Sequence, residues 1–264
     1  MRRIPKRLRA WSRDRRQRLA QRSIVRYWDW RADTHADQPG QRRYLDRWRG
    51  VFAESFPAGN GPLRILDVGS GTGFCALPLA RMGHRVTAVD LSERMLAGTR
   101  AAASKEGLEL EFARADATVP HLREGSFDGV VARNLLWTLP RPAEALRRWY
   151  GLLRPGGRAL ISDGRWNPPG RAVRRTLAGL LPGAPDRAGL RFEASYLAAR
   201  RGLPLYEGLD AVRAGSLLRE AGFAGVEPRH QVFDEDPFNL PDSGFFVLAA
   251  DKPAAGGSFE DPLP

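Results

Sequence analysis

The chain has 264 residues, 42% hydrophobic and 27% charged, a composition that predicts a soluble globular protein of one large domain. No apolar run approaches the roughly 20 residues of a membrane-spanning helix, and no apolar signal segment follows the basic N-terminus, so we expect a cytoplasmic protein without a membrane partner. The single cysteine, Cys75, excludes an internal disulfide, and the scattered histidines predict no metal site.

The positive charge is concentrated at the N-terminus. The formal net charge is +12, and residues 1–26 contain eleven Lys or Arg against one acid, Asp14, which leaves the remainder of the chain near +2. We therefore separate residues 1–26 as a basic N-terminal extension. It is either an arm that binds nucleic acid or another anionic surface, or a helix with a solvated charged face.

Residues 27–62 are predicted to form a helical cap. The cap begins with the aromatic cluster Tyr27–Arg31, which is either a lid over a ligand or a packing contact of the N-terminal helix. Gln41–Phe56 has the apolar spacing of an amphipathic helix. Pro57–Pro62 contains the prolines and glycines that end it.

The next hundred residues alternate apolar runs with helical patterns. This βαβ rhythm predicts a doubly wound α/β fold with a mostly parallel sheet. The predicted strands are Leu63–Val68, Arg85–Val89, Leu108–Ala113, Phe127–Ala132 and Arg158–Ser162, and the predicted helices are Gly73–Met82, Ser92–Ser104 and Pro140–Leu153.

Residues 163–208 interrupt this rhythm, and we interpret them as an insertion that forms a substrate lid after strand five. Short helices are predicted within it at Ala172–Leu181 and Phe192–Arg200. A helix at Leu209–Ala221 and a hairpin of strands Val226–Val232 and Gly244–Ala250 complete a domain that spans 63–250. The Pro/Gly-rich segment 251–264 is predicted to be a disordered tail.

A glycine-rich turn follows the first predicted strand. Gly69, Gly71 and Gly73 come directly after Leu63–Val68, and a strand that turns through glycines into a helix brings backbone N–H groups close to a ligand. Asp67, two residues before the first glycine, suits a ligand with positive charge. The segment from Gly71 also fits a nicotinamide-dinucleotide fingerprint, with Asp90 as its ribose acid, so this alternative stays open here.

Five motifs in chain order resemble class I S-adenosylmethionine-dependent methyltransferases. They are Asp67–Gly73, Val89–Ser92 with Met95, Ala115–Ala117, Ser126–Ala132 and Leu152–Gly157. Arg133–Pro140 and Leu203–Tyr206 are similar to a bacterial branch of the type 11 small-molecule subgroup. The resemblance implies a seven-stranded Rossmann-like sheet with N-terminal helices, and S-adenosylmethionine as the cofactor.

The resemblance also implies a role for each motif residue. Asp90 would accept hydrogen bonds from the ribose hydroxyls and Asp116 one from the adenine amino group. Asp67 would hold the methionine ammonium, which would also contact the backbone carbonyl of Arg133. The complete set of expected cofactor-binding residues is Tyr27, Asp67, Gly69, Ser70, Gly71, Gly73, Asp90, Leu91, Met95, Asp116, Ala117 and Arg133.

Methyl transfer needs alignment of three atoms in a dry site, and a hydroxyl or acid acceptor can also need a general base. Asp163, just past the fifth predicted strand, and His35, after the aromatic cluster, are the candidate acid/base residues. The predicted substrate-binding residues are the aromatic side chains Trp28, Trp137, Trp166, Tyr196 and Tyr206.

We therefore expect a methyltransferase that acts on N or O of a small molecule, with a specialised metabolite as one class of acceptor. The first alternative is an RNA or other nucleic-acid methyltransferase that uses the basic arm. A cofactor-binding protein without catalysis and a nicotinamide oxidoreductase are the others. A homodimer is compatible with the sequence.

Overall fold

The computed structural model describes residues 6–35, 44–57, 59, 61–168, 170, 188–233 and 243–254. Within these ranges the chain forms one mixed sheet with helices on both faces. The helices are α1 (Lys6–His35), α2 (Leu45–Ser55), α3 (Ala76–Arg81), α4 (Glu93–Lys105), α5 (Pro142–Leu152), α6 (Ala188–Ala199) and α7 (Ala211–Glu220). The strands are β1 (Arg64–Val68), β2 (Arg85–Asp90), β3 (Leu110–Arg114), β4 (Phe127–Arg133), β5 (Leu153–Asp163), β6 (Ala224–Pro228) and β7 (Phe246–Asp251).

The seven described strands lie in the order β3-β2-β1-β4-β5-β7-β6. Strands β1 to β5 pair with their neighbours in parallel, and β7 is antiparallel to both β5 and β6. The chain reverses direction across the sheet between β1 and β4, so the carboxyl ends of these two strands border the crevice where such sheets bind ligands. The predicted doubly wound, mostly parallel fold is confirmed.

Alternating residues of the strands pack on opposite faces of the sheet. Leu66 and Val130 point into one apolar cluster, which includes the fully buried Trp149 of α5. Ile65 and Val131 point into the other, where α2 contributes its buried face. None of the described helices is long and apolar enough to cross a membrane.

Helix α1 is one continuous helix of 30 residues, roughly 45 Å long at 1.5 Å per residue. It therefore runs without a break through residue 26, where the sequence analysis divided the basic extension from the cap. It packs against α6 and α4. Its buried residues Ala20, Tyr27 and Ala32 form the face that packs against the body, although most of the helix is polar.

Several predicted boundaries are wrong, each for a local reason. Helix α3 begins at Ala76 rather than Gly73, because Gly73 has φ +89°, which no α-helix contains. Strand β5 begins at Leu153 because that residue pairs with Phe127, so the predicted turn lies inside the strand. Strand β6 ends at Pro228, which has no N–H to continue a ladder, and a 3₁₀ turn follows at His230–Val232.

The insertion and the tail are described only in part. The predicted helix Ala172–Leu181 lies outside the described residues, and the predicted Phe192–Arg200 helix is α6, which begins earlier at Ala188. The tail cannot begin at 251, since Asp251 belongs to β7 and the Lys252 ammonium donates to the carbonyls of Tyr150 and Leu153. Residues 255–264 lie outside the described part of the chain.

Candidate active site

The turn between β1 and α3 forms the floor of the site. The N–H groups of Gly69 and Ser70 donate to the Val89 carbonyl at 2.8 and 3.0 Å, which ties the turn to the end of β2. Gly69 and Gly71 have φ of +68° and +53°, where a side chain is strained. A Cβ on Gly69 would lie 2.7 Å from Leu135, whereas no atom of the described residues lies within 4 Å of a Cβ position on Gly71. The open side of this turn is therefore at Gly71.

Asp90 joins this turn to the start of α4. One of its carboxylate oxygens accepts from the Gly71 N–H at 2.9 Å and the other from the Ser92 N–H at 2.8 Å. The Ser92 hydroxyl in turn accepts from the Met95 N–H and caps α4. Burial raises the pKa of Asp90, and the two backbone donors oppose that effect. Each carboxylate oxygen of Asp90 keeps a further lone pair, so Asp90 can still accept a hydrogen bond from each of the two ribose hydroxyls.

Helix α1 crosses the edge predicted to hold adenine and ribose. The Gln21 amide donates to Asp116 at 2.6 Å, and the Asp29 carboxylate accepts from the Ser92 hydroxyl at 2.5 Å. Arg94 donates to both oxygens of Asp33 further along the helix. Neither Gln21 nor Asp29 was assigned to the site from the sequence, because only the docking of α1 brings them next to residues 95 and 63 positions away.

The remaining residues of the expected adenine site surround this edge. Met95 is buried and Leu91 is partly buried, and their predicted contact with adenine stays a prediction. Ala117 is nearly buried, and its carbonyl accepts from the Trp149 indole at 2.8 Å. Asp116 accepts from the Thr118 N–H with its second oxygen, which fixes the loop after β3.

Asp67 is a buried carboxylate at the end of β1. It accepts from the Ala76 N–H at the start of α3, while its Oδ2 atom has no hydrogen-bond partner among the described residues. The buried hydroxyl of Ser70, also without such a partner, lies in the adjoining turn. Burial and the nearby charge of Asp90 raise the pKa of Asp67 to about 7, against the opposing effect of Arg133. A buried anionic oxygen with a free lone pair suits an incoming ammonium group.

Arg133, at the end of β4, lies beside this carboxylate. Its guanidinium carbon is 3.8 Å from the centroid of the Phe74 ring and 5.5 Å from that of Trp48, in cation–π geometry. Burial lowers the pKa of Arg133 to about 10, opposed by the neighbouring Cys75, Asp67 and Asp163. The side chain therefore carries its positive charge at neutral pH.

Asp163, the proposed acid/base residue, is completely buried at the end of β5. One oxygen accepts from the Gly164 N–H at 2.9 Å and the Trp166 indole at 2.6 Å, and the other from the Trp137 N–H at 3.4 Å. Burial raises the pKa of Asp163 to about 7 against these donors. This enclosure favours a role in positioning Trp137 and Trp166, so proton transfer by Asp163 stays a prediction. His35 ends α1, and its side chain lies outside the described part of the structure.

The seven aromatic residues from the Tyr27–Arg31 segment and the substrate prediction gather in one aromatic cluster between α1, α6 and the carboxyl end of the sheet. Tyr196 is fully buried at its centre, stacked on Trp137 at 5.1 Å and edge-on to Tyr27 at 5.6 Å. Tyr196 therefore exposes no surface to a substrate and acts by packing. The cluster consists of Ala20, Ile24, Tyr27, Trp28, Trp30, Trp137, Trp166, Phe192, Tyr196, Ala199, Leu203 and Tyr206.

Three features of this geometry fit one cofactor. The glycine turn is open at Gly71, and Asp90 ends the neighbouring strand. Asp67 Oδ2 and the Ser70 hydroxyl are buried and have no hydrogen-bond partner among the described residues. The fold and site define a class I methyltransferase, with S-adenosylmethionine as cofactor.

Comparison with known proteins assigns the family. Residues 66–161 match the model of the methyltransferase domain. A malonyl-[acyl-carrier protein] O-methyltransferase of Geobacter sulfurreducens is 34% identical over 86% of this chain and 78% of its own length. The chain belongs to this family of S-adenosylmethionine-dependent methyltransferases. A ubiquinone biosynthesis O-methyltransferase of Aeromonas salmonicida is 32% identical over 54% of this chain, which spans 58% of that relative.

Solved structures share the fold at lower identity. The [4+2]-cyclase SpnF superposes with a TM-score of 0.54 at 21% identity, covering 80% of this chain and 82% of that one. Phosphoethanolamine N-methyltransferase 2 of Haemonchus contortus, in complex with S-adenosyl-L-methionine, has a TM-score of 0.55 at 19% identity, covering 78% and 52%. These neighbours bear on the fold alone.

The raised pKa of Asp67 predicts that cofactor binding releases a proton. At pH 6.5 this carboxyl group, with its pKa of about 7, is mostly protonated, whereas the cofactor's amine, with an ordinary pKa of about 7.7–8.0, is charged. An ammonium favours the carboxylate, so binding should expel the proton, and the affinity should rise between pH 6 and 7.5. Calorimetry in buffers of different ionisation enthalpy measures this release.

Two variants test the assignment of the proton to Asp67. Asp67→Asn should abolish the buffer dependence of the binding enthalpy. Asp163→Asn should retain it, although Asp163 has a pKa in the same range. Equal proton release in wild type and Asp67→Asn would contradict the prediction.

Proposed function

We propose that the protein transfers the methyl group of S-adenosylmethionine to an oxygen atom of a small, largely apolar acceptor. The observation that carries the proposal is the aromatic cluster beside the cofactor site, where Asp163 holds both Trp137 and Trp166. An apolar wall excludes water that would compete for the methyl group. Oxygen as the acceptor atom is supported by the relatives named as ubiquinone-pathway and malonyl-[acyl-carrier protein] O-methyltransferases.

The chain's own residues would act by alignment and exclusion of water. The cofactor supplies an electrophilic methyl group on a sulfonium. Asp90 and the Gly71 turn would hold its nucleoside end, while Asp67 would hold its ammonium. Trp166, which is only partly buried, would orient the acceptor for in-line attack, with the buried Trp137 packed beside it. Positioning of this kind supplies much of the rate enhancement in such reactions.

The acceptor class is tested by release of S-adenosylhomocysteine. The purified protein is assayed with matched pairs of phenols and anilines, and with carboxylic acids and their thioesters, which include specialised-metabolite precursors. We expect turnover of hydroxyl or carboxyl compounds and little turnover of the matched amines. Turnover confined to amines would contradict the oxygen assignment.

The nucleic-acid alternative is favoured by one observation. Arg18, Arg22 and Arg26 are exposed on one side of α1, spaced four residues apart, and such a row can contact phosphates. Total RNA is therefore included as an acceptor in the same assay. Salt-sensitive methylation of RNA that is lost in Arg22→Glu/Arg26→Glu would support this second function.

Trp166 provides a test of the substrate wall. Trp166→Ala removes a partly buried ring and its hydrogen bond to Asp163. We expect KM for the acceptor to rise about 10-fold, because uniform binding is lost, while cofactor affinity stays within about 2-fold. Trp166→Phe keeps an aromatic ring but lacks the N–H, so its KM for the acceptor should rise less than that of Trp166→Ala. An equal loss of cofactor affinity would show that Trp166 belongs to the cofactor site instead.

A further inference from the structure

Asn134 directly follows strand β4 at the carboxyl edge of the sheet and has a left-handed backbone, with φ of +56°. It is the one residue other than glycine with a positive φ in the part of the chain that the structure describes, where thirteen glycines have such angles. Asparagine tolerates this conformation better than most residues, but glycine adopts it without a side-chain penalty. The backbone angle by itself therefore does not account for an asparagine here.

The side chain of Asn134 contains a polar atom that is not satisfied by the protein. Its Oδ1 atom is buried and has no hydrogen-bond partner among the described residues. A buried acceptor without a partner destabilises the folded state, and glycine at this position would avoid that loss. An amide that the backbone does not need and the fold does not satisfy is expected of a residue that binds another molecule.

The strand order places Asn134 between the two halves of the site. Strand β4 lies between β1, which leads into the glycine turn, and β5, which ends at Asp163. The Asn134 N–H donates to the Ser162 carbonyl at 2.8 Å, so the residue is level with the end of β5. Asn134 therefore lies between the turn expected to hold the cofactor and the carboxylate that holds Trp166.

The residues that follow Asn134 connect it to both halves. Leu135 packs so closely on the glycine turn that a Cβ on Gly69 would lie 2.7 Å from it. Trp137, in the next turn, donates its N–H to Asp163. Asn134 itself is only partly buried, and its χ2 bond is soft, so rotation can bring the amide oxygen to the accessible side of the residue.

We propose that the Asn134 side-chain amide binds the reacting hydroxyl group of the methyl acceptor through its Oδ1 atom. The inference rests on the proposed function and narrows it, because the acceptor oxygen then belongs to a hydroxyl group, such as that of a phenol, and not to a carboxylate. The unpaired atom is an amide oxygen, which accepts hydrogen bonds and cannot donate them, so it favours a group that still carries its hydrogen. The sequence alone assigned no role to this residue.

The hydrogen bond orients the acceptor for the reaction. An O–H group directed at Oδ1 leaves a lone pair of its oxygen free to attack the methyl carbon in line. As the new O–CH₃ bond forms, the C–S bond of the cofactor breaks and its electron pair stays on sulfur. The hydroxyl proton passes to solvent, because a neutral amide does not take it up. Asn134 is therefore an acceptor-binding residue and not a general base.

Asn134→Gly separates binding of the acceptor from the backbone conformation, since glycine keeps the left-handed angle and removes the amide. The probe is the phenol that wild type methylates fastest in the acceptor assay. We expect kcat/KM for this phenol to fall about 30-fold, with most of the loss in kcat. Affinity for S-adenosylmethionine should stay within about 2-fold, and the unfolding temperature should stay near that of wild type. Asn134→Asp, which keeps an acceptor oxygen and tolerates the same backbone angle, should lose less kcat/KM.

Ser55→Ala is the matched control. The Ser55 hydroxyl is also buried, without a hydrogen-bond partner in the described ranges, and Ser55 borders a cavity with Asp128 at the opposite edge of the sheet. Its removal should leave kcat, KM and cofactor affinity unchanged. A loss in Asn134→Gly but not in Ser55→Ala is then not a general effect of removing an unpaired polar atom.

Three results would overturn the inference. In the first, Asn134→Gly keeps the wild-type kcat/KM, which would leave Asn134 with a conformational role alone. In the second, it loses affinity for S-adenosylmethionine by the same factor, which would assign the amide to the cofactor. In the third, wild type methylates carboxylic acids and no hydroxyl compound. Each of these results leaves O-methylation standing, whereas turnover confined to amines would contradict the proposed function itself.

Discussion

Asp90→Ala should weaken binding of S-adenosylmethionine about 100-fold, because it removes a charge-assisted pair of hydrogen bonds to the ribose hydroxyls. The same change removes the acceptor for the N–H groups of Gly71 and Ser92. The glycine turn then loses its tie to the start of α4, so the floor of the site also loosens. Calorimetric titration with S-adenosylmethionine and S-adenosylhomocysteine measures the loss.

Two further variants isolate the cause. Asp90→Asn keeps one acceptor oxygen and should lose less affinity than the alanine variant. Asp128→Ala removes a carboxylate at the opposite edge of the sheet, where it accepts from the Arg64 N–H and pairs with Arg154. Its cofactor affinity should stay at the wild-type level. An Asp90→Ala protein that binds the cofactor normally would refute the ribose assignment.

Gly208→Ala should destabilise the protein by about 3 kcal/mol or more, since the added methyl group has no space and the backbone conformation is unfavourable for a side chain. A Cβ at Gly208 would lie 2.2 Å from the Gly164 carbonyl oxygen and 2.6 Å from the Arg165 Cα, and its φ is +94°. Both neighbours are backbone atoms, so they cannot move aside as the end of a flexible side chain would. Urea unfolding followed by circular dichroism measures the change.

Gly83→Ala separates the two contributions. Gly83 has a similar φ of +85°, but within the described part of the chain no atom lies within 4 Å of its Cβ position. This variant should lose only the cost of the left-handed conformation, about 1–2 kcal/mol. Equal losses in the two variants would show that the close approach at Gly208 contributes nothing. Because residues 164–166 connect Asp163 to Trp166, Gly208→Ala should also impair acceptor binding.

The core of the fold was predictable because its signals are local. The apolar run before Gly69, the alternation of strands with helices, and the motifs around Asp90 and Asp116 all lie within short windows, and they identified the sheet and the cofactor. The errors were local too. The predicted helix began at Gly73, but the left-handed φ of that residue delays α3 to Ala76. The pairing of Leu153 with Phe127 extends β5 through a segment with turn residues.

The contacts that close the site were not predictable in the same way. Gln21 reaches Asp116 and Asp29 reaches Ser92 only because α1 docks across α4 and the adjoining loops. Asp163 was named as an acid/base candidate from its place after β5, yet its neighbours turn it into the acceptor for Trp137 and Trp166. Charge and residue type are properties of the sequence, but the partner of a carboxylate depends on which distant element packs against it.

The sequence by itself predicted the class of the fold from the alternation of strands and helices, and the resemblance of its five motifs to a known family implied the cofactor. Chain direction then places the ends of β1 and β2 at one edge of a parallel sheet. Tertiary structure alone decided that Gln21 of the basic N-terminal segment contacts Asp116 and that Tyr196 is buried. It also placed the Arg133 guanidinium on the same face as Asp67. These features depend on long-range packing, which a local pattern of residues does not encode.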